Sequence, residues 1–179
     1  MMQSDMWVDN EAHQLHLDGH VFPCDRDIEA AVRWHEYALL LSSDTDCLSL
    51  WDSDGLVRLA KVGVYPQDMT TQGDFAYVCG GADGKLHLLH LPDLHEAAEY
   101  MLPGMPERVC FARDAAFVLT LLPEPEVHTA LLSVDLATGK WSEIAAFGGI
   151  PEAITADKSG LWIAVSEGVV RMRWAEIHA

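Results

Sequence analysis

The feature that most constrains the fold is a unit that recurs every 40 to 45 residues. Each copy begins with an apolar residue, a proline and a polar residue, and continues through a charged turn into a strand-like segment of aliphatic and aromatic residues. The copies lie at residues 65–78, 105–118 and 150–163. A spacing of this size is typical of the four-stranded blades of a β-propeller. The repeat therefore predicts an all-β chain built from radially arranged sheets.

The strand-like runs between the repeats divide the chain into blades. They are short, rich in aliphatic and aromatic residues, and separated by turns that contain glycine or aspartate. Residues 94–100 have helical propensity, but the segment is short and the repeat makes it an outer strand. We predict one domain over residues 1–179, a small β-propeller of four to five WD-repeat-like blades. The predicted units are a partial unit at 1–27, complete blades at about 28–63, 64–104 and 105–149, and a three-stranded blade at 150–179.

The sequence leaves open how the ring closes. Partial units stand at both ends of the chain, so the N-terminal strands could complete the C-terminal blade and remove exposed sheet edges. The ring could instead be incomplete, or two chains could share one ring as a homodimer.

The charge of the chain limits its partners. The 179 residues include 28 acidic and 11 basic residues, a net charge of −17 with neutral histidines. A surface this negative repels phosphate backbones and anionic membranes, so we expect neither nucleic acid nor membrane as a partner. The same charge favours cations and basic proteins, although surplus carboxylates can also serve solubility alone.

Signals for export and cysteine pairing are not found in the sequence. The N-terminal residues lack a basic segment followed by an apolar run, and no run of 18 apolar residues occurs. The four cysteines, at positions 24, 47, 79 and 110, form no C-x-x-C pair. We expect reduced thiols and a cytoplasmic protein.

Several segments resemble YVTN-type β-propeller repeats, which occur in surface-layer-like and lactonase-like propellers. The resemblance is carried by residues 65–68, 75–78, 84–89 and 133–140, of which the last is similar to a D-x-x-T-G-K turn. Residues 151–154 and 160–164 are similar to the blade start of gluconolactonase-like propellers. The resemblance spans about residues 28–175 and implies an architecture rather than an activity.

The repeat register places four polar residues at equivalent positions. Gln67, Glu107 and Glu152 follow the prolines that open their blades, and the same register places Glu29 at this point of the preceding blade. The inner strand of a blade begins at the mouth of the central channel, so we predict that these residues form a ring there. Converging carboxylates repel one another and are stabilised by a cation or a basic side chain. The ring is therefore the candidate ligand site, with a divalent cation as the candidate cofactor.

Other chemically active residues indicate no catalytic site. Neither a G-x-S-x-G sequence nor a phosphate-binding loop is present. His87 and His90 fall on opposite faces of a predicted strand, which disfavours a shared metal. The connection at residues 122–128 is lengthened by two prolines and two glutamates, and is either a solvated insertion or a binding loop. Histidines without an evident partner are His35, His95, His128 and His178. Aspartates expected to cap hairpin turns are Asp44, Asp46, Asp52 and Asp54.

These observations favour a non-catalytic propeller that acts as a binding or scaffold protein. Its partner would be a protein or a small ligand, with a basic group at the acidic channel mouth. The alternative is a divalent-metal-dependent lactonase or hydrolase of the gluconolactonase-like type, with Glu29, Glu107 or Glu152 as ligands. The resemblance implies that such a site also uses a channel asparagine, and the only asparagine is Asn10. A third alternative is half of a homodimeric ring whose role is assembly.

Overall fold

The chain folds almost entirely into antiparallel β-sheet. The computed structural model describes residues 5–177, in which eighteen strands form five sheets and a 3-10 turn, Trp174–Glu176, follows the last strand. Over these residues no helix has the length and apolar character needed to cross a bilayer. Residues 1–4 and 178–179, which include His178, lie outside the described part. The five sheets confirm the predicted all-β fold class, a small β-propeller.

Each sheet is a meander whose strands follow chain order. The first sheet contains β1 (Met6–Asp9), β2 (Gln14–Leu17) and β3 (His20–Pro23). The second contains β4 (Ile28–Trp34), β5 (Tyr37–Ser42), β6 (Cys47–Asp52) and β7 (Gly55–Lys61). The third contains β8 (Asp68–Gln72), β9 (Phe75–Cys79), β10 (Lys85–His90) and β11 (His95–Met101). The fourth contains β12 (Met105–Ala112), β13 (Ala115–Leu122), β14 (His128–Asp135) and β15 (Lys140–Gly148). The fifth contains β16 (Pro151–Asp157), β17 (Gly160–Val165) and β18 (Gly168–Arg173).

Position within a blade explains the composition of each strand. The first strands β4, β8, β12 and β16 contact one another in succession and form the inner side of the arc. The second strands β5, β9 and β13 are buried on both faces, as the run of aliphatic residues in β5 predicts. The fourth strands β7, β11 and β15 are mostly exposed. β11 covers most of the segment with helical propensity, so the prediction of an outer strand there is confirmed.

Among the residues that the structure describes, the first sheet has no inner strand. The turn between β1 and β2 lies beside the start of β4, because the Asn10 side-chain amide donates to the Ile28 carbonyl at 3.1 Å and its Oδ1 accepts from the Ile28 N–H at 3.2 Å. β1 therefore runs toward the edge from which β4 departs, as a second strand does. The first sheet thus corresponds to the second, third and fourth strands of a blade, whereas the fifth sheet has only the first three.

Four buried clusters join consecutive sheets. Their central members are Leu15, Leu17, Ala38 and Leu40; Leu39, Leu41, Ala76 and Val78; Tyr77, Cys79, Ala116 and Val118; and Phe117, Leu119, Leu161 and Ile163. Within residues 5–177, no such cluster joins the fifth sheet to the first, and strands of these two sheets do not pair. The N-terminal strands form a sheet of their own, because Leu15 and Leu17 are buried against the second sheet. Completion of the C-terminal blade by the N-terminal strands is therefore not seen in the described residues.

Candidate functional site

The four residues of the predicted ring occupy one position in their sheets, where the inner strand begins. Glu29, Glu107 and Glu152 each lie at a β-bulge, since the ladder passes from Ile28 to Ala30, from Pro106 to Arg108 and from Pro151 to Ala153. The fourth, Gln67, directly precedes β8, and its N–H donates to the Cys79 carbonyl at 3.0 Å. A bulge turns its extra residue out of the ladder, which leaves these side chains at the edge of the inner strands.

Among the described residues, no side-chain hydrogen bond joins two members of this ring. The Oε1 of Glu29 accepts from the Ser43 hydroxyl at 2.7 Å, and the amide of Gln67 donates to the Tyr65 carbonyl at 3.1 Å. Burial raises the pKa of Glu107, and the Arg108 guanidinium opposes that rise. Among the described residues, Glu29, Glu107 and Glu152 do not form a three-residue cluster that could hold one metal ion. The ring is thus a set of separated polar groups at one edge.

The residues one position further along connect the inner strands of neighbouring sheets. The Asp68 carboxylate, from β8, accepts the N–H of Val109 in β12 at 2.9 Å. The Nε of Arg108, from β12, donates to the carbonyl of Glu152 in β16 at 2.7 Å. Asp68 and Arg108 were not predicted, although the register that selected Gln67 and Glu107 places both at the next equivalent position.

Asp68 has the most perturbed carboxylate of this region. Burial raises its pKa to about 6, although the hydrogen bonds from the N–H groups of Val109 and Met69, together with the charge of Arg108, act to lower it. Burial, followed by the charge of Asp68, raises the pKa of Cys110 to about 12, and the same causes raise that of Cys79. Both thiols are therefore protonated at neutral pH, and neither is an activated nucleophile.

The connections at the starting edge of the inner strands are strongly acidic. Successive strands alternate in direction, so this edge also carries the turns between second and third strands. Its connecting segments are residues 10–13, 24–27, 43–46, 62–67, 80–84, 102–104, 123–127, 149–150 and 166–167. These connections carry nine carboxylates, Glu11, Asp25, Asp27, Asp44, Asp46, Asp83, Glu124, Glu126 and Glu167, against one basic residue, Arg26. Glu29, Glu107 and Glu152 lie beside them, within the first three residues of the inner strands. We call this edge the acidic face.

The opposite edge is less charged. Its connections carry six carboxylates and two basic residues. They are Asp18, Glu36, Asp54, Asp74, Asp93 and Asp114, with Arg113 and Lys158. The excess of carboxylates is therefore concentrated where the predicted ring lies.

A groove of about 610 Å³ opens on the acidic face between the fourth and fifth sheets. One wall comes from residues 125–128 of the lengthened connection, and the other from Glu167 in the turn before β18. Phe147, at the end of β15, supplies apolar surface. A space of this size accommodates a small ligand or one or two side chains.

The expected turn-capping role is seen for Asp52, whereas Asp46 bonds a different connection. Asp52 Oδ1 accepts from the Asp54 N–H at 2.8 Å within its turn. Asp46 Oδ1 accepts from the Tyr65 N–H at 2.8 Å, which ties the acidic turn of the second sheet to the connection that leads into the third.

The histidines are placed differently from the prediction in one respect. His87 and His90 have separate carboxylate partners, Asp83 and Glu96 for His87 and Asp93 for His90. His95, predicted to have no partner, lies 3.0 Å from Asp93 and opposite His90 in the ladder. The sequence signal that could have predicted this pairing is the short hairpin, because it brings the last residue of β10 beside the first residue of β11.

Comparison with known proteins identifies the fold of the chain and does not identify its function. No protein-family model and no curated protein matches the sequence. Virginiamycin B lyase from Staphylococcus aureus superposes with a TM-score of 0.74 at 15% identity, over 96% of this chain and 64% of that one. A streptogramin B lyase gives 0.72 at 16% identity, over 89% and 58%. The computationally designed Ika4 protein gives 0.69 at 11% identity, over 82% and 90%. The chain thus has the fold of these proteins and spans less than two thirds of the length of the two lyases.

Proposed function

We propose that the protein is a non-catalytic propeller-type module that binds a basic polypeptide segment on its acidic face. The observation that carries the proposal is the concentration of nine carboxylates, against Arg26, in the connections of that face, with Glu29, Glu107 and Glu152 beside them at the start of the inner strands. A field of this sign attracts a cationic segment and accelerates its association. The groove beside Phe147 would hold an apolar side chain of the same segment. Glu29, Gln67, Glu107 and Glu152 would contact it at the inner edge.

The proposal is tested by binding of a fluorescently labelled oligolysine peptide. Three substitutions on the acidic face, Glu29→Gln, Glu107→Gln and Glu152→Gln, are combined in one variant. A matched variant carries Glu36→Gln, Asp54→Asn and Asp114→Asn on the opposite face, so both chains change by the same net charge. At about 0.2–1 kcal/mol for each exposed ion pair, the first variant should bind roughly tenfold more weakly and the matched variant within about twofold of wild type.

Equal weakening in the two variants would show that the peptide responds to net charge rather than to this face. Absence of binding by the wild-type chain at low salt would also contradict the proposal. Binding should weaken as ionic strength rises, because the contacts are exposed.

The alternative, a divalent-metal-dependent lactonase or hydrolase, has less support. The carboxylates of the ring form no three-residue metal-binding cluster in the described residues. Asn10, the only asparagine, already hydrogen-bonds both backbone groups of Ile28 through its side chain. The lyase named among the structural neighbours shares the fold at 15% identity, which carries no activity across.

A role in assembly is the second candidate function, favoured by the two end sheets. Within residues 5–177, each leaves one face uncovered by another sheet, with Trp7 51% exposed on the first sheet and Trp162 39% exposed on the fifth. We propose that two copies cover these faces head to tail as a homodimer.

We also propose that the chain is a single-domain, YVTN-type propeller located in the cytoplasm. A relationship to YVTN-type propellers agrees with the strand order of the sheets, and a single domain over residues 1–179 agrees with the clusters that join consecutive sheets. Four free cysteines, three of them buried, are consistent with a cytoplasmic location.

A further inference from the structure

Two histidines and an aspartate converge at the turn between β10 and β11. His90 ends β10, His95 begins β11, and the two are directly opposite in the ladder, so their side chains lie on one face. Their ring centroids are 5.0 Å apart. The Oδ1 of Asp93, in the turn, lies 2.9 Å from the Nδ1 of His90 and 3.0 Å from the Nδ1 of His95.

The backbone that carries these three side chains is fixed by the core. Leu91 and Leu94, within the turn, are 1% and 4% exposed and belong to the cluster between the second and third sheets. The Leu91 N–H donates to the Asp74 carbonyl at 2.8 Å, and the Leu94 N–H donates to the His90 carbonyl at 2.9 Å. Phe75 packs edge-on against the His90 ring at 5.5 Å. The ligand atoms are therefore held near one another by buried neighbours.

We propose that His90, Asp93 and His95 form a binding site for a divalent transition-metal ion such as Zn²⁺. Two imidazole nitrogens and one carboxylate oxygen are a preferred ligand set for such ions. The three ligand atoms all lie within 4.8 Å of one another. Ligands of a tetrahedral zinc ion are about 3.4 Å apart, so each contact between Asp93 Oδ1 and an imidazole nitrogen needs to lengthen by only a few tenths of an ångström. Three protein ligands leave one coordination position for water.

A second group on the same hairpin is not a comparable site. His87 is only 7% exposed, and both of its ring nitrogens already have partners, Asp83 at 2.7 Å and Glu96 at 3.1 Å. Glu99, the third member of that group, pairs with Lys85 at 2.7 Å. This network provides the matched control, because it lies on the same two strands and also joins a histidine to carboxylates.

The site is tested by titrating the metal-free protein with Zn²⁺ in a calorimeter and with Co²⁺ in a visible-light spectrometer. Wild type should bind one equivalent of Zn²⁺, and Co²⁺ should give the absorption bands of imidazole-containing tetrahedral coordination. His95→Gln and Asp93→Asn should each weaken binding at least about tenfold, since each removes one of three ligands. Glu96→Gln, in the control network, should leave binding unchanged.

Three outcomes would overturn the proposal: no binding of either ion by wild type, unchanged affinity in His95→Gln, or equal loss in Glu96→Gln. His95 is 59% exposed, so its replacement should not unfold the chain, and a melting curve of each variant checks this. Peptide binding on the acidic face is a separate readout, because this turn lies at the opposite edge.

Discussion

At the scale of single residues, Asp68 should make the stability of the fold depend on pH. Its pKa rises from 3.8 to about 6 on folding, chiefly through burial. As pH increases the unfolded chain loses this proton first, so the folded state is penalised progressively between pH 4 and 6. The penalty approaches at most about 3 kcal/mol above pH 6 and disappears below about pH 4. Asp68→Asn keeps an acceptor for the Val109 N–H and cannot ionise.

Urea unfolding at about pH 3.5 and about pH 7.5 measures this effect. The stability gained by Asp68→Asn relative to wild type should be larger at the higher pH. Asp114→Asn, at an exposed turn, controls for the loss of one carboxylate from an acidic chain. If the gain from Asp68→Asn is the same at both pH values, the ionisation of Asp68 is not linked to folding.

The sequence predicted the positions of the ring residues but not what they contact. The spacing of the prolines places Glu107 and Glu152 at equivalent positions of their blades, because the repeat length can be measured directly in the sequence. The bulge at each of these points adds a residue to one strand. The regular alternation of side chains between the two faces of the sheet is interrupted there, so it no longer predicts which of the adjacent residues faces the next sheet. The contacts made by Asp68 and Arg108 across sheets depend on that local geometry, and for this reason they were not foreseen.

At the scale of elements, the connections between sheets depend on close backbone approaches. Gly81, in the turn after β9, has a φ of +60°, and a Cβ added there would lie 2.2 Å from the Tyr65 carbonyl oxygen. Gly73 has a similar φ of +57°, but an added Cβ would meet nothing within 4 Å. Gly73→Ala should lower the free energy of unfolding by about 1 kcal/mol through backbone strain alone. Gly81→Ala should lower it by at least about 2 kcal/mol more, since backbone must move.

Chemical denaturation of the two glycine variants measures the difference. Equal destabilisation would mean that the connection at Tyr65 moves without cost to the stability of the fold.

Strands were more predictable from the sequence than these close backbone approaches, because runs of aliphatic residues such as β5 and β9 indicate buried strands directly. β11 was predicted from the repeat against its local helical propensity, which shows that the repeat was the stronger signal.

At the scale of the molecule, the number of units was predictable and their closure was not. The spacing of the repeats predicts how many sheets the chain forms. The apolar residues of each sheet indicate that one or both of its faces are buried. Which surface covers a given face is decided by packing between distant segments, as with Leu15 and Leu17 against the second sheet. The same packing leaves Trp7 and Trp162 on uncovered faces at the two ends.

The two uncovered faces should bring two copies of the chain together. The first sheet's face presents Val21, 52% exposed, with Trp7 stacked on His16. The fifth sheet's face presents Val169, 69% exposed, beside Trp162 and Arg171. Charge disfavours a contact between two first sheets, because residues 5–27 carry six carboxylates and one arginine. Residues 150–177 carry four carboxylates and three basic residues, so the fifth sheet is the less acidic partner for the first.

Light scattering at a concentration on the order of 100 µM should give twice the chain mass of 19.8 kDa. Val21→Glu and Val169→Glu should each give the mass of one chain, because a closed pair uses both faces of both copies. Val57→Glu, at a 44% exposed position on β7, is the matched control and should leave the pair intact. A single-chain mass for wild type, or dissociation of the control as well, would refute the head-to-tail pair. A mass that grows beyond two chains would mean that the ends join into open filaments rather than a closed ring.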